Sequence, residues 1–282
     1  MLRKEVISMS SEESVKQQED YNRSITSKIA KWVNDSLTLG EMEARRLRHD
    51  PTELFTRAVQ PVLWLLVFGE TFTQIKAIPT GGVPYIAFMT PGILSQSVLF
   101  ISIFYGLALI WDRDQGIIQK FLALPVPRSA FVVGRTMGAA VRGISQAVII
   151  MLLAVILRVQ LRWSFLSVVG TVVVVILEAA FFSCFSMILA ALMRTRERFM
   201  GIGQVLTMPL FFASSAIYPI SIMPRWLQVI AVINPLSYVV EILRGILVTG
   251  VYAGMWLHLG LLLGMILVAV IIATLLYPRL AS

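Results

Sequence analysis

The feature that most constrains this chain is the recurrence of apolar stretches long enough to cross a lipid bilayer. A helix rises about 1.5 Å per residue, so roughly 20 mainly apolar residues cover the hydrocarbon core. Stretches of that kind lie at about 54–74, 84–111, 131–157, 164–193, 200–218 and 256–277. With 57% of its 282 residues hydrophobic and 14% charged, the chain carries more apolar surface than a soluble domain of this size can bury. The sequence therefore predicts an all-α, polytopic membrane protein with six transmembrane helices. Residues 1–34, rich in Ser and Glu, read as a polar, disordered tail without the apolar core of a signal peptide.

Charge sets the expected orientation. In a soluble protein a formal charge of +8 would point to nucleic acid, but here Lys and Arg sit at the ends of apolar runs, where lipid phosphates meet them. No nucleic-acid role is assigned. Six spans place both termini on one side. With the N-terminus inside, eighteen basic residues face the cytoplasm and five (Lys76, Arg158, Arg162, Arg225 and Arg244) face outward. Positive loops stay in the cytoplasm, so the expectation is a multi-pass protein of the cell (inner) membrane with both termini cytoplasmic. The single Cys184 lies inside an apolar run, so it reads as a small buried hydrophobe.

Several segments break the pattern. Thr38-Leu39-Gly40-Glu41 reads as a capping box opening a cytoplasmic amphipathic helix over 36–50, with Arg45, Arg46 and Arg48 beside Met42 and Leu47. Asp50-Pro51-Thr52-Glu53 then starts a new helix at an angle, as an elbow that either anchors the first span or touches a motor protein. Farther on, Pro219, Pro224 and Asn234-Pro235 cut 219–250 into pieces too short to cross. An extracytoplasmic re-entrant hairpin before the last span is preferred to a seventh span, which would move the C-terminus outside. Glu241 and Arg244, three residues apart, either pair to cap that hairpin or gate its outer mouth.

Two sets of residues are candidates for function. In the loop 112–128, Ile117, Ile118, Phe121 and Leu122 share one helical face, with Asp114, Gln115, Gln119 and Lys120 elsewhere; Pro125 and Pro127 end the helix before Arg128. Such a helix either floats among headgroups or docks on a soluble partner and passes its motion to the flanking spans. Within the spans, Arg142, Gln146 and Glu178 are costly in lipid and must face protein. An Arg142–Glu178 interaction between neighbouring helices would fix packing or line a route. The pairs Gly134/Gly138 and Gly260/Gly264 permit close helix approach.

The segment from Asp112 and Arg113-Asp114 through Gly116 to Leu122-x-x-Pro125-x-x-Arg128 resembles the cytoplasmic loop of ABC type-2 transporter permeases. Tyr218-Pro219, Met223-Pro224-Arg225-Trp226, Asn234-Pro235-Leu236 and Leu243-Arg244-Gly245 resemble the same family's external hairpin, most closely in daunorubicin-resistance-type and nodulation-type export permeases. The likeness runs over about 36–280, as a transmembrane domain over 35–282 behind the tail. It departs in its longer N-terminus and in Asp-Arg-Asp where a glutamate is common. The resemblance implies a homo- or heterodimer of permease subunits, paired with cognate ABC ATPase subunits and exporting a drug, lipid or glycolipid. It further implies that Arg113, Asp114, Gly116, Ile117, Phe121, Leu122, Pro125 and Arg128 couple to the ATPase. No glycine precedes a lysine, so this chain holds no Walker A loop, and ATP with Mg is expected on the partner. With only His49 and His258 and no clustered acids in the spans, no cofactor, metal site or enzymatic machinery is expected. The remaining alternatives are a secondary transporter using Arg142 and Glu178, or a polysaccharide- or lipid-conjugate exporter subunit.

Overall fold

In a bilayer the backbone must satisfy its own hydrogen bonds, and a chain built of long apolar runs does so as helices. The computed structural model describes residues 27, 30–42, 45, 52–75, 78–123, 126–193, 195–252 and 254–281, and among them no strand occurs. The elements are α1 (30–42), α2 (Thr52–Leu63), a π turn at Trp64–Gly69, α3 (Glu70–Ile75), α4 (Tyr85–Phe104), α5 (Gly106–Asp114), α6 (Ile117–Leu122) and α7 (Arg128–Ile156). They continue as α8 (Phe165–Leu192), α9 (Arg196–Phe212), α10 (Arg225–Ile233), α11 (Pro235–Arg244), a π turn at Gly245–Thr249, and α12 (Met255–Leu276) with a closing 3-10 turn at Tyr277–Ala281.

Among the described residues four helices are long and apolar enough to cross a membrane: Tyr85–Asp114, Arg128–Ile156, Phe165–Leu192 and Met255–Leu280. The bent pair Arg225–Ile233 and Pro235–Thr249 makes a fifth if taken as one span. The other two expected stretches fall on weaker elements. Residues 54–74 lie on a helix interrupted by the π turn after Pro61, whose missing amide removes one rung of the helical ladder. Residues 200–218 lie on α9, which stops at Phe212 after 17 residues.

The core is the trio α4, α7 and α8, with α11 against α4 and α12 against α8. Helix α4 is buried on every side, from Ile93 and Leu94 to Val98 and Leu99, as expected of a helix apolar all round. Most of α12 points outward through Leu257, Leu261, Leu267, Val268 and Leu275. In water such a face would aggregate; in lipid it is solvated.

Two local expectations change. Helix α1 already runs at residue 30, inside the segment read as tail, and Thr38 sits mid-helix with its hydroxyl donating to the Asn34 carbonyl at 2.9 Å. It is therefore no N-cap, because a β-branched hydroxyl inside a helix bonds back one turn. The Asp50-Pro51 elbow lies outside the described residues. The expected re-entrant segment is present as a broken helix pair before the last span, bent by 83° between its halves. Asn234 makes that corner. Its Oδ1 accepts from the Leu236 amide at 3.0 Å, capping α11 with Pro235 at the first helical position, and its Nδ2 donates to the Leu210 carbonyl at 2.6 Å.

Candidate functional site

At the end of the bundle that carries α6, short polar contacts tie several spans to one another. Gly116 turns the chain with φ +70°, a conformation only glycine adopts at little cost, and α6 follows. Ile118 is wholly buried, Ile117 and Phe121 half-buried, and Gln115, Gln119 and Lys120 exposed. The apolar face thus packs on its own chain. Phe121 lies 5.3 Å from the Phe131 ring of α7, which lies 5.8 Å from Tyr277 beyond α12. What faces outward is polar. The Leu122 side chain and residues Leu124 and Pro125 lie outside the description, and Arg128 is exposed at the start of α7.

Asp112, Arg113 and Asp114, at the end of α5, each meet a different helix. Asp112, 2% exposed, pairs with Arg135 of α7, 6% exposed. Arg113 donates to the Met193 carbonyl at the end of α8, 3.0 Å away. Asp114 accepts from Arg196 Nε and Nη2 at 3.0 and 2.7 Å, and the Arg196 guanidinium lies 5.3 Å from the Trp111 ring. Three consecutive residues thereby fasten α5, and α6 beside it, to α7, α8 and α9. Acid and base 23 residues apart give no local signal of this pair in the sequence.

Helix α1 docks on the same end. Trp32 Nε1 donates to Ser129 Oγ at 2.9 Å, and a Cβ on Gly134 would stand 2.5 Å from Leu39 Cβ. The role of Gly134 is thus close approach of α1, not of another span. Gly134→Leu is expected to lift α1 off α7 at a cost of about 1–3 kcal/mol. Limited proteolysis should then cleave within 30–42 while α7 and α8 stay protected; unchanged protection of α1 would refute the contact.

Midway along the spans the polar residues meet partners other than those expected. The Glu178 carboxyl, 0% exposed, accepts from Ser95 Oγ of α4 at 2.6 Å. Arg142 donates to the Gly138 carbonyl and stacks 4.3 Å from the Tyr105 ring. The anticipated direct Arg142–Glu178 pair is replaced by separate contacts: Ser95 of α4 offers Glu178 a hydroxyl, and Tyr105, just after α4, offers Arg142 a π face. Gln146 is buried on α7 with Arg142.

At the opposite end Arg244 donates to the Ser215 carbonyl at 2.6 Å and lies 3.8 Å over the Phe88 ring. Glu241 stands 3.6 Å from His258 Nδ1 of α12. Pro219 and Pro224 precede a 3-10 turn and α10. Arg244 therefore fastens the 213–217 segment to α11 by satisfying carbonyls, and the Glu241 side chain turns toward α12. Between α2, α4 and α9 lies a cleft of about 380 Å³, lined by Gln60, Gln96, Ser97, Phe100 and Gln204 among others. Its glutamines escaped the sequence reading, since single amides in apolar runs carry no periodic signal. Among the described residues no three His, Cys, Asp or Glu gather as metal ligands.

Comparison with known proteins gives these contacts a setting. Residues 36–248 match the family model described as ABC-2 type transporter. The chain is 33% identical over 201 residues to the ycf38 transport permease of Cyanophora paradoxa, covering 71% of this chain and 69% of that one. It is 28% identical to the daunorubicin resistance ABC transporter permease protein DrrB1 of Streptomyces coeruleorubidus, over 68% and 67% of the two chains. Nodulation protein J of Rhizobium meliloti is 26% identical, over 71% and 76%.

Proposed function

The chain belongs to the ABC-2 type transporter family, and from that premise we propose that it is the membrane subunit of an exporter driven by a separate ATPase. As a transport permease it is not an enzyme. Its substrate is hydrophobic or amphipathic. Drug, lipid, glycolipid and lipid-linked polysaccharide all remain within that class.

The observation that carries the reading is the lashing of α6. A partner pushing on Gln115, Gln119 and Lys120 meets a helix whose other face is packed on α7 and whose base is fastened to α7, α8 and α9 through Asp112, Arg113 and Asp114. Interfaces of this kind move as rigid bodies, so a push on α6 tilts the spans together. Gly116, Ile117 and Phe121 support the lever by shaping and seating it, and Leu122, Pro125 and Arg128 are proposed to couple with them. ATP and Mg belong to the partner.

Six crossings fit this reading. The helix over 52–75 and the 17-residue α9 are within the range that spans with little tilt, and the bent α10–α11 pair then enters and leaves on one side. The basic residues around α6 favour the cytoplasm for that end and for both termini, in the cell membrane. A second permease subunit, identical or homologous, completes the assembly.

Crosslinking tests the lever. In cells producing the chain with its cognate ATPase, Gln119→Cys is expected to capture the ATPase, with a yield that changes when ATP is trapped. No capture from either Gln115 or Gln119, together with transport by the purified chain alone, would overturn the proposal in favour of a secondary transporter.

A further inference from the structure

We infer that Tyr277 is a positioning residue for the stroke: its hydroxyl, idle in this conformation, donates to the Asp112 carboxylate when a partner drives α6 against the bundle. The inference rests on the exporter reading and deepens it, by naming a bond made only in the driven state.

The decisive group is a buried hydroxyl. Tyr277 is 1% exposed, and its Oη has no hydrogen-bond partner among the described residues. A hydroxyl in that condition has given up water and recovered nothing. Phenylalanine would fill the same space without the loss. Such groups are rare in folded proteins, and this one stands where a partner is near.

Tyr277 follows α12 and, with Leu280, shares one apolar cluster with Ile110 of α5, Ile118 of α6 and Phe131 of α7. Both members of the buried Asp112–Arg135 pair lie within electrostatic reach of its hydroxyl. Arginine only donates, so the carboxylate is the member that can accept. Asp112 Oδ2 already accepts from Arg135 Nη2. A carboxylate offers about four lone-pair sites, so Asp112 can take the phenol without releasing the arginine.

Motion reaches this spot through aromatic rings. Phe121 of α6 lies 5.3 Å from Phe131, and Phe131 lies 5.8 Å from Tyr277 with the two planes 13° apart. Offset stacking holds over centroid separations of about 4.5–7 Å, so a small displacement of α5 and α6 brings Asp112 against the phenol without opening the core. A hydrogen bond to a charged oxygen in so dry a place is strong. It would favour the driven state over the resting one.

The test compares Gln119→Cys chains with and without Tyr277→Phe, each in membranes with the cognate ATPase. A non-hydrolysable ATP analogue is titrated while capture of the ATPase is measured, so no cargo need be known. Tyr277→Phe is expected to need about tenfold more analogue for the half-maximal change in yield, as loss of one hydrogen bond to a charged group implies. In detergent without nucleotide, its unfolding midpoint should equal or exceed that of the chain with Tyr277, which loss of a merely structural bond would not give. Tyr277→Leu, which also removes the ring from Phe131, should lower that midpoint; an unchanged midpoint would break the ring relay. The proposal falls if Tyr277→Phe leaves the titration unmoved, or if it unfolds earlier at rest, since the hydroxyl would then be bonded already. Either result leaves the exporter reading standing. Absence of nucleotide-dependent capture in the chain that keeps Tyr277 would remove the exporter reading, and this proposal with it.

Discussion

Replacing Asp112 with alanine is expected to lower the stability of the folded chain by about 3–5 kcal/mol, because it removes the carboxylate from a buried ion pair with Arg135. Both partners are almost wholly enclosed, so water cannot move in to replace the carboxylate. The loss should show as a lower unfolding midpoint in detergent and as little or no transport, since the same contact ties the α5–α6 corner to α7. Asp112→Ala with Arg135→Leu removes both charges and is expected to regain most of the stability. Transport should recover less than stability, because the apolar pair no longer holds α6 in register. If Asp112→Ala unfolded at the wild-type midpoint, the buried pair would carry no structural weight and the lever would lose its anchor.

Gly92→Val is expected to be at least as damaging at the other end of the bundle. A Cβ on Gly92 would stand 2.5 Å from the Ala216 carbonyl oxygen and 2.7 Å from its Cα. Those atoms are backbone and cannot swing aside as a side chain would. The segment they belong to is pinned from several directions: Ser214 Oγ donates to the Phe211 carbonyl, Tyr85 Oη to Ile217, and Arg244 to Ser215. Relief must therefore shift α4 or break the Arg244 contact that holds α11. A cost of about 3 kcal/mol or more, the upper range for overpacking, should appear as loss of monodisperse protein on size-exclusion chromatography. Gly264→Ala is the matched control: nothing lies within 4 Å of its added Cβ, and a change within about 0.5 kcal/mol is expected. Equal behaviour of the two variants would mean that the α4–Ala216 approach is not as close as drawn.

Much of the architecture was legible in the chain. The long apolar runs at 84–111, 131–157, 164–193 and 256–277 predict helices that the structure places at Tyr85–Asp114, Arg128–Ile156, Phe165–Leu192 and Met255–Leu280. Asn234-Pro235 announced the corner, since an Asx cap followed by a proline at the first helical position has few other uses. Thr38 misled because a capping-box spacing also occurs inside helices, where the hydroxyl bonds back to the preceding turn. The site was read less well. The amphipathic stretch after Gly116 was found, yet its apolar face turned out to serve the chain's own core, leaving the polar face for a partner. Glu178 and Arg142 were singled out by cost alone, and cost says that a charge needs company without saying whose.

What consecutive residues decided by themselves was the solvent this chain lives in, its all-helical build and the places where helices stop, because span length, end charge and proline act over neighbours in sequence. Tertiary structure alone decided that Asp112 meets Arg135, that Ser95 meets Glu178, that Gly92 lies under Ala216, and that Gln60, Gln96 and Gln204 border one cleft. Those partners are 23 to 144 residues apart. Their meeting depends on how ridged helix surfaces settle against one another, a choice made by the whole bundle at once.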